Sequence, residues 1–319
     1  NDRYGGKSMN ALIFPGQGSQ KLNMMKDFYD EYPASKRIMD NACDILGFDL
    51  RKIVFGNDEH ELTKTYNAQP ALLTTSIMAF EVLKSKKIDF EVVAGHSLGE
   101  YSALVASGVL SFEDALKAVR LRGELMENAI PSGAGSMLAI LGLSPEKVEE
   151  IVSNLDGVYV ANYNSPLQIV VSGEITALLS AIEIFKSAGA KRVVQLNVSG
   201  PFHSPLMMPA KERLSEFLNK IDFRRPHVPV ILNVTGKVAG TIDEIKSKLI
   251  EQLTSPVKWI ETVQTMNEMC ITRYVEVGSG NVLCGLVKKI VNAETYSTDT
   301  IDEMDKLEGV VKNAEIAEF

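Results

Sequence analysis

Gly95-His96-Ser97-Leu98-Gly99 fits the pattern G-x-S-x-G, a nucleophile elbow. The pattern needs small residues two before and two after the serine. There the backbone reverses sharply between a strand and a helix and presents the hydroxyl above the sheet. Five residues alone are a weak match. Here, however, a strand-like run (EVVAG) precedes the serine and a helix-like run over 98–107 follows it, the context the motif requires. The bland alternative is a glycine-rich turn carrying an idle serine. The elbow also sets the Leu98 N–H and the N-terminus of the following helix beside Ser97, where both favour a developing oxyanion.

A serine hydroxyl needs a general base to attack at neutral pH, and histidine is the usual one. The chain holds 4 histidines. His60 lies in the charged, solvated stretch DEHEL, and His227 sits between prolines in a surface connection. His96 adjoins the nucleophile, but neighbours on such a turn point apart. His203, in a loop after a strand, remains as the candidate base, with a packed loop histidine as the alternative. Over 112–128, apolar residues at 112, 115, 116, 119 and 126 mark one helix face, and Arg122 falls at its edge. An arginine steered inward is costly unless it meets an anion. That anion is either a protein carboxylate or a substrate carboxylate gripped by the guanidinium fork, and residue types alone leave both open. After the first strand, Gly16-Gln17-Gly18-Ser19-Gln20 is broken as G-x-G-x-x-G by Lys21 and lacks the Walker lysine, so nucleotide binding is poorly supported. An exposed loop here could instead offer the Gln17 backbone N–H to an oxyanion hole.

Holding these residues takes strands that end at the site and helices that start there. Residues 11–14 and 92–95 read as short buried strands, and 71–83, 98–107 and 112–128 as helices. Strand then helix, repeated, predicts a largely parallel α/β sheet. The rhythm changes over 131–199. Strands at 136–141, 158–161, 168–172 and 192–198 alternate with helices at 145–154 and 175–187, the first capped by Ser144 and Pro145. The order β-α-β-β-α-β is the split βαβ, or ferredoxin-like, pattern, which suggests an inserted small subdomain. A strand at 274–277 then leads through Gly278-Ser279-Gly280 into a final helix, and an acidic tail past Thr300 is given no function.

With 319 residues, 45% hydrophobic and 23% charged, the chain can bury a sizeable core. A net charge of −8 argues against a general nucleic-acid binder, although a basic corner at Lys288 and Lys289 could still meet an acidic partner. No run approaches the ~18 apolar residues of a membrane helix. No signal peptide is visible, and the polar residues 1–8 suggest an expression remnant ahead of a native start at Met9. Cys43, Cys270 and Cys284 show no CxxC spacing, so a disulfide framework or zinc site is not expected and a reducing cytoplasm is.

Several further motifs accompany the elbow: FPGQGSQ at 14–20, QPALL at 69–73, GHSLGEYSAL at 95–104, Arg122-Gly123, NSP at 164–166 and EVGSGNVL at 276–283. Together, and in this order from Met9 to about residue 291, they resemble the malonyl-CoA:acyl carrier protein transacylases of type II fatty acid synthesis. The resemblance implies an α/β-hydrolase-like catalytic subdomain over 9–130 and 200–300 with a ferredoxin-like subdomain inserted at 131–199, and a tail at 301–319. It implies Ser97 as the acylated nucleophile and His203 as its base. It also implies that Gln17 and Leu98 give the oxyanion-hole amides, and that Arg122 binds the malonyl carboxylate. By the same resemblance the backbone carbonyl of Gln252 orients the histidine, so that no triad aspartate is needed. Phe202 precedes the histidine as in malonyl-selective members, and Lys258 carries no role. The implied partners are malonyl-CoA and acyl carrier protein, for a cytoplasmic, monomeric enzyme without a cofactor or a metal. A thioesterase or esterase using the same elbow is the rival activity, and a non-catalytic carrier-docking protein is a second.

Overall fold

Ala11, Leu12, Ile13 and Phe14 are all apolar and all fully buried, which a strand tolerates only where both faces of its sheet are covered. A computed structural model describes residues 8–317 of the chain; the expectation of an expression remnant lies outside them except for Ser8. Its eight strands are β1 (Asn10–Phe14), β2 (Val92–Gly95), β3 (Gly135–Leu141), β4 (Val158–Ser165), β5 (Gln168–Glu174), β6 (Arg192–Gln195), β7 (Arg273–Glu276) and β8 (Glu294–Ser297). They form two sheets. One has the order β2-β1-β7-β8 and is parallel throughout; the other has the order β4-β5-β3-β6 and is antiparallel throughout.

Alternation along β1 divides the large core in two, because successive side chains point to opposite faces. Leu12 and Phe14 join the helix Thr65–Ser85 on one side, whereas Ala11 and Ile13 join Trp259 and the helix Val282–Ile290 on the other. The segment around Val230 adds to the free edge of β2, with Val93 N–H donating to the Pro229 carbonyl and Ile231 N–H to the Val93 carbonyl. The antiparallel sheet carries the helices Pro145–Ser153 and Ile175–Ser187 on one face, where Leu138 and Ile140 meet Val148, Leu178 and Phe185. Its other face, with Met137, Ala139 and Val170, turns to the larger core. Backbone bonds from Val257 N–H to the Ala161 carbonyl and from Tyr163 N–H to the Val257 carbonyl join the two sheets' surroundings.

Several element bounds depart from the sequence reading. The helix expected over 71–83 spans Thr65–Ser85, passing through Pro70. Proline removes a backbone N–H, and the Tyr66 carbonyl that would have received it instead accepts Arg120 Nη1 at 2.7 Å. β4 runs on to Ser165 through register shifts that carry two asparagines, poor strand formers, whereas β6 stops at Gln195. The helix after Gly280 is not the last element: β8 follows, and Ile301–Ala317 forms a helix with Met304 and Leu307 buried. Among the described residues no helix is long and apolar enough to cross a membrane.

Candidate active site

The elbow forms where expected, and its glycines have a steric reason. A Cβ on Gly95 would overlap the Gly99 carbonyl, and one on Gly99 would overlap the Phe14 carbonyl of the neighbouring strand. Ser97 itself adopts φ 53°, in the left-handed region. Such a conformation costs a β-carbon-bearing residue ~1–3 kcal/mol and persists only where its surroundings hold it. The helix Gly99–Ala106 then starts directly behind the hydroxyl.

Ser97 Oγ lies 2.7 Å from His203 Nε2. His203 is buried, also at a positive φ of 56°, and its Nδ1 lies 3.0 Å from the Gln252 backbone carbonyl. A carbonyl only accepts, so Nδ1 carries the hydrogen and Nε2 presents its lone pair to the serine O–H. Burial first, and then the nearby Arg122 charge, push His203 down to about 3. The imidazole is therefore neutral and able to receive a proton throughout the neutral range.

Arg122 reaches this pair from the inner face of the helix Phe112–Glu127, whose N-terminus Ser111 caps by accepting Asp114 N–H at 3.0 Å. The side chain is 1% exposed. Nη2 donates to Ser97 Oγ at 3.2 Å and to Gln252 Oε1 at 3.0 Å, Nη1 donates to Gln69 Oε1 at 2.9 Å, and Nε has no partner. These acceptors are all neutral, and Arg122 forms no salt bridge among the described residues. Of the two anions left open by the residue types, a protein carboxylate in contact is thus not what the fold supplies. The Tyr101 ring lies 5.6 Å from the guanidinium, and the carboxyl that acts on it without contact is Glu100, fully buried and pushed up by desolvation to about 7.

Gln17 follows β1 as the elbow follows β2, and because these strands are adjacent the two loops lie side by side. Gln17, Ser97, Leu98, Arg122 and His203 line one cavity of about 130 Å³. No acceptor for the Gln17 or Leu98 backbone N–H is found among the described residues, which leaves both amides free for an oxyanion. Every site residue expected from sequence, including Gln252, is therefore brought together. His60 and His227 are exposed and do not line this cavity. His96 does not touch Ser97 Oγ; it lines the cavity with Nε2 at 2.7 Å from Asn164 Oδ1.

Sequence reasoning missed the residues beneath the elbow. Asn233 Oδ1 accepts the Ser97 N–H at 2.8 Å, and the Glu100 carboxyl accepts the Asn233 N–H at 2.8 Å. Gln69 stands in the QPALL run with no role of its own legible there, and no local pattern marks Asn233, which lies more than 100 residues from the serine.

Residues 11–308 match the family model described as acyl transferase domain. The malonyl CoA-acyl carrier protein transacylase of Bacillus subtilis (strain 168) is 49% identical over 284 residues, covering 88% of this chain and 90% of that protein. The solved structure of a malonyl CoA-acyl carrier protein transacylase from Clostridium perfringens superposes with a TM-score of 0.94 at 36% identity, covering 98% of this chain and 99% of that one. A malonyl-transacylase solved in complex with its type II PKS acyl-carrier protein gives 0.91 at 40% identity, covering 95% and 100%.

Proposed function

The chain belongs to the acyl transferase domain family, and from that premise we propose that it carries malonyl from coenzyme A to the phosphopantetheine thiol of acyl carrier protein through an ester on Ser97. One observation carries the reading: a buried arginine without a carboxylate partner among the described residues stands 3.2 Å from the nucleophile. An acyl group that ends in a carboxylate supplies the missing anion within one short chain of the reacting carbon. A plain esterase or thioesterase has no use for that buried charge.

In the first half-reaction His203 Nε2 takes the Ser97 proton as Oγ attacks the malonyl thioester carbon. The oxyanion is received by the Gln17 and Leu98 amides, and Arg122 holds the distal carboxylate. Collapse breaks the C–S bond, and the CoA sulfur leaves with the proton from His203. The carrier thiol then gives its proton to His203 and attacks the malonyl-serine ester; the same donors hold the second oxyanion, and Ser97 recovers its proton. The Gln252 carbonyl keeps the imidazole in the required tautomer throughout.

The same reading takes residues 9–130 and 200–300 as an α/β-hydrolase-like catalytic subdomain. Residues 131–199 are then an inserted ferredoxin-like one, supported by the antiparallel order β4-β5-β3-β6 with both helices on one face. Its setting is the cytoplasm, which suits three cysteines that are all free thiols.

Intact-protein mass spectrometry after brief incubation with malonyl-CoA tests the reading. Wild type is expected to gain one malonyl group that acyl carrier protein then removes, and Ser97→Ala to gain none. Free malonate accumulating without an adduct would favour hydrolysis instead.

A further inference from the structure

Ser97 is the strained point of the elbow, and two buried side-chain amides grip the peptide groups on either side of it. The Asn233 carboxamide spans the turn: Oδ1 accepts the Ser97 N–H at 2.8 Å, and Nδ2 donates to the Gly95 carbonyl at 2.6 Å. The Gln252 carboxamide takes the other side, with Nε2 donating to the Ser97 carbonyl at 2.9 Å. That carbonyl belongs to the same planar peptide as the Leu98 N–H, and in a trans peptide the two point in opposite directions. Fixing the carbonyl from beneath therefore aims the amide at the cavity above.

Asn233 is itself held at every polar atom. Its N–H donates to Glu100 Oε2 at 2.8 Å, its carbonyl accepts the Lys258 N–H at 2.9 Å, and Gln252 Nε2 lies 3.3 Å from its Oδ1. It is fully buried, and it follows the segment that pairs with the edge of β2, so it stands level with the turn after that strand. A side chain locked in this way transmits the position of the sheet edge to the serine.

Resting on the malonyl-transfer reading above, we propose that Asn233 is a positioning residue for acylation: its carboxamide holds the Ser97 peptide so that nucleophile and oxyanion donor stay aligned. It touches no reacting atom. Its loss is therefore expected to appear in the rate of chemistry and not in the affinity for the acyl donor, which Arg122 supplies.

The test is single-turnover malonylation of the full chain, followed by intact mass, for wild type and Asn233→Ala. Malonyl-CoA affinity is measured separately with Ser97→Ala present in both backgrounds. Asn233→Ala is expected to acylate ~30-fold or more slowly, within the range for disturbing one oxyanion donor, with affinity changed less than about 3-fold. Acylation within about 3-fold of wild type, or a loss of affinity as large as the loss of rate, would overturn the proposal.

Asn233→Asp gives a second readout should the alanine variant fail to fold. A neutral carboxyl can accept from Ser97 N–H and donate to the Gly95 carbonyl, as the amide does, whereas a carboxylate has no proton to donate. The titratable groups facing this spot are Glu100, beneath it, and His203 and Arg122, reached through Gln252 and Ser97; Glu100 titrates beside the new carboxyl, and the two acids together carry less charge as pH falls. The ratio of Asn233→Asp to wild-type acylation is thus expected to rise as pH falls from about 8.5 to about 5.5. A flat ratio would overturn the proposal. A wild type that takes no malonyl at all would sink the transfer reading itself, and this inference with it.

Discussion

Arg122 is a buried cation whose partners are two carboxamides and a hydroxyl, so an incoming carboxylate relieves a charge the protein leaves uncompensated. Arg122→Ala is therefore expected to lower malonyl transfer more than ~100-fold while tolerating acetyl-CoA better, since a buried charge-assisted pair is worth several kcal/mol. Steady-state kinetics with both donors checks this, and equal losses would remove the assigned role. His203 makes a prediction in pH. With its imidazole pushed down to about 3 from an ordinary 6.5, kcat/KM for malonyl-CoA should hold as pH drops through 6.5. A half-maximal point near 6.5 would show the base to be freely solvated. In stability the sign follows from linkage. Below about 6.5 the unfolded chain takes up a proton that the native imidazole refuses until about 3. The residue's contribution is thus present above that window and lost as pH falls through it.

The elbow is a strand-turn-helix element whose glycines mark places where backbone meets backbone. In Gly99→Ala the new methyl would press on the Phe14 carbonyl of β1, which cannot move without disturbing the sheet. Urea unfolding should show a loss of at least ~1–3 kcal/mol, with malonyl-serine formation falling alongside. This element was legible in advance, because its strand, turn residues and helix are contiguous and each leaves a local signature; β2 has the expected bounds. The sequence predicts a shorter helix than Thr65–Ser85 because Pro70 argues locally against its first turn. What rescues its first turn is Arg120, on another helix. The sequence likewise predicts a shorter β4: Asn162 and Asn164 look like loop residues until the cavity gives them a reason to be there.

Across the whole molecule, the cavity is closed by residues of the antiparallel sheet together with the loops that follow the parallel strands β1 and β2. Met137 and Val170 of the antiparallel sheet stand on its wall with Phe202, which is 4% exposed and next in sequence to the base. In so small a space one ring limits what the acyl group can carry at its α-carbon. Phe202→Ala should raise kcat/KM for methylmalonyl-CoA relative to malonyl-CoA by ~10-fold or more, the scale at which a pocket discriminates a single carbon. An unchanged ratio in competition kinetics would show that another wall sets the limit. The sequence by itself marked Ser97, His203 and Arg122 as candidates and predicted the α/β alternation and the change of rhythm over 131–199, since each rests on residue type, periodicity or a contiguous motif. Only the tertiary structure decided that Arg122 has no carboxylate partner among the described residues, that the Gln252 side chain joins arginine and elbow, and that Asn233 holds the serine's backbone. Those are contacts between residues more than 100 positions apart, and nothing in the local chemistry of an asparagine or a glutamine records which distant peptide it will meet once the chain has folded.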